Sequence, residues 1–314
     1  MHNLLFQLIL GVVVLLISTK VLVKVAEKLS SSLKISPLFI GITFVALGTS
    51  LPELAVSSIA SARNDIGLAM GNIVGSNIIN ILMVLPVGIL LGKLRIGTTK
   101  TQRNTLILLL VTAIFIASHL IPIGNTILGL IFITLAILLT ITEYKWAVFG
   151  RKHEDLSRMN HLKKEKFTLG KLIMLAISVA GIIAGGYLTV TSTESISAVT
   201  GYSTTILGLS LTAIVTSFPE LLTTIFSQEE HQEKLTIGNI IGSNIYNLLF
   251  IGGIINLFSP ITYIQPANLV ILAVITVFFF LIIRHYSGQK IPRWIGILLF
   301  LFLASYLYYL GLSK

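Results

Sequence analysis

The hydrophobic pattern divides this chain into ten apolar blocks, each about the length needed to cross a bilayer as a helix, roughly 20 residues. They cover 3–24, 35–62, 66–91, 103–121, 125–146, 168–192, 204–227, 235–258, 265–284 and 291–312. Runs such as 106–118, 127–140 and 269–283 contain no charged residue. The pattern predicts an all-α polytopic membrane protein. Two polar segments interrupt this apolar background, and they are one segment written twice. GITFVALGTSLPELAVS starts at Gly41 and GNIVGSNIINIL at Gly71; GLSLTAIVTSFPELLTT starts at Gly208 and GNIIGSNIYNLL at Gly238, each 167 residues later with no insertion or deletion. Hydrophobic filler recurs by chance in such chains, but a carboxylate behind a proline beside hydroxyls and amides does not. A duplicated polar motif at membrane depth marks a site at a repeat interface.

Five helices per copy is an odd number, so the second copy enters the membrane upside down. The expected architecture is two inverted five-helix repeats in a single transport domain. The first repeat spans 1–149, a charged linker 150–167, and the second repeat 168–314. A linker of that length is too short to fold as a regulatory domain.

Composition narrows the class. Residues are 54% hydrophobic and 11% charged, against about 25% charged in ordinary soluble domains. There is no cysteine, which excludes disulfides and thiolate metal sites. The first apolar block lacks a basic stretch before it and a small-residue cleavage pattern after it, so it is expected to be retained as a helix. The net charge of +10 is a topology signal rather than a nucleic-acid footprint. Twenty Lys and Arg fall on alternate connections and their flanks, leaving only Arg63 and Lys314 on the other side. The positive-inside bias then places the linker in the cytoplasm and both termini outside it.

Of twelve carboxylates, ten are expected near helix ends, at interfaces or in loops, Glu27, Glu143 and Glu194 among them. Glu53 and Glu220 sit deep inside apolar blocks. An unpaired carboxylate in hydrocarbon costs at least about 2.5–3.5 kcal/mol, so both should face the bundle interior and meet a cation or a proton. Thr49 and Ser50 precede Glu53 by four and three positions, on the same helical face; Thr216 and Ser217 stand in the same relation to Glu220. Pro52 and Pro219 have no N–H and displace the carbonyl four residues earlier, at Gly48 and Val215, offering oxygen to a cation. A second polar stripe, Asn72-Ser76-Asn80 and Asn239-Ser243-Asn247, is spaced i, i+4, i+8. Ser76, Ser243, Asn80 and Asn247 are read as ligands, whereas Asn72, Asn77, Asn239 and Asn244 are read as helix-packing amides. The set is all oxygen and the six histidines lie outside it, which disfavours zinc and copper. A dry multi-oxygen cage suits Ca²⁺ or Na⁺ better than strongly hydrated Mg²⁺.

At these residues the chain resembles the sodium/calcium exchanger family. The G-T-S-x-P-E element corresponds to Gly48–Glu53 and, with valine replacing glycine, to Val215–Glu220. The G-N-x-x-G-S-N element corresponds to Gly71–Asn77 and Gly238–Asn244. The resemblance implies that Glu53 and Glu220 are central ligands, joined by Thr49, Ser50, Ser76, Thr216, Ser217 and Ser243 and by the Ala46 and Ala213 carbonyls. It also implies that helices 1 and 6 slide past the other eight. Asn247 occupies a position that is acidic in some relatives, including potassium-dependent ones, which argues against potassium transport. The expected activity is antiport of Ca²⁺ against Na⁺ by alternating access, with no cofactor, no catalysis and no protein partner beyond the lipid bilayer. The alternatives are Ca²⁺/H⁺ exchange and a passive cation channel.

Overall fold

The computed structural model describes residues 2–30, 45–91, 94–95, 99–119, 125–149, 169–229, 233–259 and 264–313. The 150–167 linker and the start of the first motif at Gly41 lie outside the described residues. Ten helical segments follow in chain order. They are α1 (His2–Ser30), α2 in two pieces (Ala46–Thr49 and Leu51–Ala62), α3 (Ile66–Ile79, a π turn at Asn80–Val84, then Leu85–Leu90), α4 (Thr99–Ser118) and α5 (Asn125–Phe149). The second set is α6 (Leu169–Thr200), α7 (Thr204–Leu207, a π turn at Gly208–Thr212, Ala213–Thr216, then Phe218–Glu229), α8 (Glu233–Tyr246, a π turn at Asn247–Ile251, then Gly252–Phe258), α9 (Pro266–His285) and α10 (Arg293–Leu312). The architecture is all-α, two inverted five-helix repeats. Nine of these segments are long and apolar enough to cross a membrane, counted among the described residues. The described part of α2 is too short for that count.

The repeat is kept inside the helices. The breaks at Ser50 and Ser217 lie 167 positions apart. The π turns of α3 and α8 also start at equivalent residues, Asn80 and Asn247. They therefore belong to the repeat and not to Pro86, which follows only the first of them. Hydrophobic patterning had not distinguished these turns from ordinary α-helix.

The motif helices are the centre of the molecule. In α3 and α8 83% of the span is buried, against 22% in the apolar spans of α1 and α5. Apolar side chains such as Phe6, Ile9, Ile127 and Leu130 point outward, as a lipid-facing surface requires. The central packing depends on missing side chains. A Cβ on Gly71 would lie 2.6 Å from the Thr205 carbonyl oxygen, and one on Gly75 2.7 Å from the Leu209 carbonyl oxygen and 2.8 Å from Ala213 Cβ. The backbone of α3 thus lies directly on the π turn of α7.

Two arginines expected to be solvated or topogenic take structural partners. Arg63 caps the end of α2, reaches Glu194 of α6 at 2.7 Å and lies over the Tyr187 ring at 4.3 Å. Glu194, expected near the end of helix 6, lies inside it because α6 runs on to Thr200. Arg103 of α4 reaches Glu143 of α5 at 3.1 Å and stacks on Trp146 at 3.6 Å. Glu143, expected at an interface or in solvent, has a side chain only 12% exposed.

Gly75→Ala should lower the melting temperature of the detergent-purified protein, since overpacking a rigid contact costs about 1–3 kcal/mol. Gly170→Ala, where nothing lies within 4 Å of the added carbon, should leave it unchanged. A Gly75→Ala protein as stable as the parent would contradict the backbone contact.

Candidate functional site

Glu53 and Glu220 have no exposed surface, and Thr49, Ser50, Ser76, Thr216, Ser217, Ser243, Asn80 and Asn247 are buried with them. Each carboxylate follows a local break. Ser50 and Ser217 leave helical geometry at φ −81°, ψ 5° and φ −81°, ψ 4°, and the helix restarts with Pro52 or Pro219 in its first turn, where a missing N–H removes no bond. The break changes which residues meet. Continuous helix would stack Thr49 and Ser50 on Glu53. Instead Glu53 has Thr216 and Ser217 beside it, with Ser217 Oγ 3.5 Å from Glu53 Oε1. Glu220 has Thr49, Ser50 and Ser243 beside it. Each carboxylate therefore has hydroxyls of the other repeat beside it.

The amide stripe crosses in the same way. Thr49 Oγ1 donates to Asn239 Oδ1 at 3.1 Å and lies 3.3 Å from Ser243 Oγ. Its repeat mate Thr216 Oγ1 donates to Asn72 Oδ1 at 3.2 Å and lies 3.3 Å from Ser76 Oγ. Asn80 Nδ2 donates to Asn244 Oδ1 at 3.0 Å, and Asn244 Nδ2 to the Asn77 carbonyl at 3.3 Å, tying α3 to α8. Asn244 thus does the packing work expected of it, whereas the Asn77 amide donates within its own helix, to Ile73 O at 2.8 Å. Asn72 and Asn239, read from spacing as packing amides, do bond between helices, and the bonds they accept come from the site's threonine hydroxyls. A sequence signal existed, since both lie on the same stripe as Ser76 and Ser243.

The alanine carbonyls lie at the helix breaks. Ala46 O accepts the Ser50 N–H at 3.0 Å and lies 3.3 Å from the Thr49 hydroxyl. Ala213 O accepts the Ser217 N–H at 3.1 Å and lies 3.4 Å from the Thr216 hydroxyl. Free oxygen lies elsewhere. Ser50 Oγ, Glu53 Oε2, both carboxylate oxygens of Glu220, Asn80 Oδ1 and Asn247 Oδ1 are buried without a hydrogen-bond partner. Buried polar atoms are otherwise almost always paired. These six orphaned oxygens come from the two helix breaks and from the ends of the polar stripe. Among the described residues no group of three His, Cys, Asp or Glu side chains could hold a metal, so any ion here is held by two carboxylates with hydroxyls and amides.

Inverted repeats, broken helices and an all-oxygen site at their interface define the class of secondary transporters. The model of the sodium/calcium exchanger proteins matches residues 3–145 and 170–312, and the chain belongs to that family. It is 31% identical to an uncharacterized membrane protein of Methanocaldococcus jannaschii over 95% of this chain and 94% of that one. It is 28% identical to the sodium/calcium exchanger MaX1 of Methanosarcina acetivorans, over 96% of each. Its fold matches the solved structure of the sodium-calcium exchanger NCX_Mj with a TM-score of 0.70 at 25% identity, covering 99% of this chain and 98% of that one.

The crossed arrangement can be tested directly because the chain has no cysteine of its own. The pairs Thr49→Cys/Ser243→Cys and Ser76→Cys/Thr216→Cys should be bridged by Cd²⁺ or mild oxidation. Thr49→Cys/Ser76→Cys, which an uncrossed site would favour, should not. Bridging only in that last pair would refute the crossing.

Proposed function

We propose that this protein exchanges Ca²⁺ for Na⁺ across the membrane by alternating access. The observation that carries the reading is the buried pair Glu53 and Glu220, each facing hydroxyls of the opposite repeat with carboxylate oxygens left unpartnered. Two like charges cannot both persist unbalanced in a medium of low dielectric. One Ca²⁺ neutralises them, and so do two Na⁺. A further Na⁺ among the flanking hydroxyls would carry net charge through the cycle and make exchange electrogenic. Because the ion species share ligands they compete, and a neutralised site is cheaper to occlude than an empty charged one. Protons compete for the same carboxylates at low pH. Asn247 adds no charge, which keeps the site near −2 and disfavours K⁺ as a co-substrate.

The crossing supports alternating access over a passive pore. Each half-site needs oxygens from both repeats, so a relative movement of the repeats alters every ligand set at once. The long helices α1 and α6 pack on each other where Gly11 and Gly185 let the backbones touch; a Cβ on either would come within 2.8 Å of Leu188 Cβ or 2.7 Å of Gly11 O. That smooth contact suits the sliding pair. The basic connections place the 150–167 linker in the cytoplasm and both termini outside, in the cell membrane.

In proteoliposomes an outward-directed Na⁺ gradient should drive ⁴⁵Ca²⁺ uptake, with K⁺ and pH gradients ineffective alone. Glu53→Gln or Glu220→Gln should abolish it, since removing one charge from a buried ionic assembly costs about 3 kcal/mol or more, over 100-fold. Uptake driven by a pH gradient without Na⁺ would replace Na⁺ by H⁺ as the counter-ion. Intact Na⁺-driven uptake in either Gln variant would remove the carboxylates from the site.

A further inference from the structure

The two halves of the site differ in how their asparagines are held. Asn72 is fastened at both ends of its amide. Nδ2 donates to Ser57 Oγ at 3.0 Å and to the Glu53 carbonyl at 3.4 Å, while Oδ1 accepts the Thr216 hydroxyl at 3.2 Å. A backbone carbonyl only accepts, so the nitrogen must face Glu53 and the oxygen must face Thr216. The repeat mates of Ser57 and Asn72 are Thr224 and Asn239. Asn239 Oδ1 accepts the Thr49 hydroxyl at 3.1 Å, but Asn239 Nδ2 has no partner, and neither does Thr224 Oγ1. All four residues are fully buried.

A hydroxyl carries one proton and two lone pairs. Giving the proton to an asparagine oxygen leaves the Thr216 lone pairs for a cation and spares the Ala213 carbonyl, the other acceptor within reach at 3.4 Å. A turned amide would do the reverse: its nitrogen would donate to the threonine oxygen and occupy a lone pair. We propose that Ser57 is a positioning residue that, through Asn72, fixes the Thr216 hydroxyl as a cation acceptor, while the unfastened Asn239 makes Thr49 the adaptable ligand. The proposal rests on the cation-site reading above and adds an inequality between half-sites that the duplicated motif conceals. Ser57 is the last residue of the first repeated segment, four positions past Glu53, and touches the site's side chains only through Asn72 and the Glu53 backbone.

The test is equilibrium ⁴⁵Ca²⁺ binding to the detergent-purified full chain, with Na⁺ competition read in parallel. Losing the Ser57 hydroxyl removes one buried hydrogen bond, so Ser57→Ala should weaken Ca²⁺ binding roughly three- to tenfold. Ser57→Thr should restore it to within about twofold, since the fold already carries threonine at the equivalent position 224 and the hydroxyl is retained. Thr224→Val, which deletes a hydroxyl that holds nothing, should leave binding unchanged. If the alanine variant does not fold, Ser57→Thr against Ser57→Val gives the same comparison at constant shape. Equal losses at positions 57 and 224, or no difference between Ser57→Thr and Ser57→Val, would overturn the proposal. Binding needs no counter-ion, so proton-driven flux would overturn Na⁺ coupling without touching this result. Failure of the unaltered chain to bind Ca²⁺ would overturn both.

Discussion

Two buried carboxylates that meet no basic side chain among the described residues set the terms for the rest of this molecule. The ion pairs among the described residues, Arg63–Glu194 and Arg103–Glu143, lie elsewhere, and neither includes Glu53 or Glu220. On the proposed reading the compensating charge is that of the transported ion. A site that depends on a borrowed charge has to be sealed when loaded and has to avoid offering its own positive substitute. The broken helices meet that demand by turning each acid toward hydroxyls and amides of the opposite repeat. Those groups lower the cost of burial through their dipoles yet leave the net charge for a mobile cation.

Close backbone packing is what makes such a site hold its shape. Oxygen ligands from four helices define a cavity only if those helices keep a fixed distance, and side chains between them would introduce slack. The glycines of the G-N-x-x-G element remove that slack, bringing α3 onto the π turn of α7. The π turns lie where the polar stripe ends, at Asn80 and Asn247, a placement common for such turns at functional sites. The same element thus supplies both the ligands and the absence of bulk that lets them converge.

Much of this was legible in the sequence because the informative residues were polar in an apolar chain. Ten helices, their inversion and the importance of Glu53 and Glu220 follow from hydropathy, parity and burial cost. The crossing was not legible, because helical spacing assigns Thr49 and Ser50 to Glu53 and only the break at Ser50 reassigns them to Glu220. The bonds of Asn72 and Asn239 to the site's threonines were not legible either: spacing shows an amide between helices but not which hydroxyl it meets. For Glu143 and Glu194 hydropathy gave a place near an interface or a helix end but not the pairing with Arg103 and Arg63. Ser57 carried no signal at all, since its role exists only through a contact 15 residues away in the chain.

The clamp between Arg63 and Glu194 has a consequence of another kind. The residues 167 positions from this pair are Glu230 and Glu27, and two acids cannot make the equivalent bridge. The bridge between Arg63 and Glu194 is therefore a feature that the duplication does not repeat. It joins the end of the broken helix α2 to α6 across the repeat boundary, so the two halves of the scaffold are not interchangeable, and because both partners are partly exposed the tie is one that salt screens.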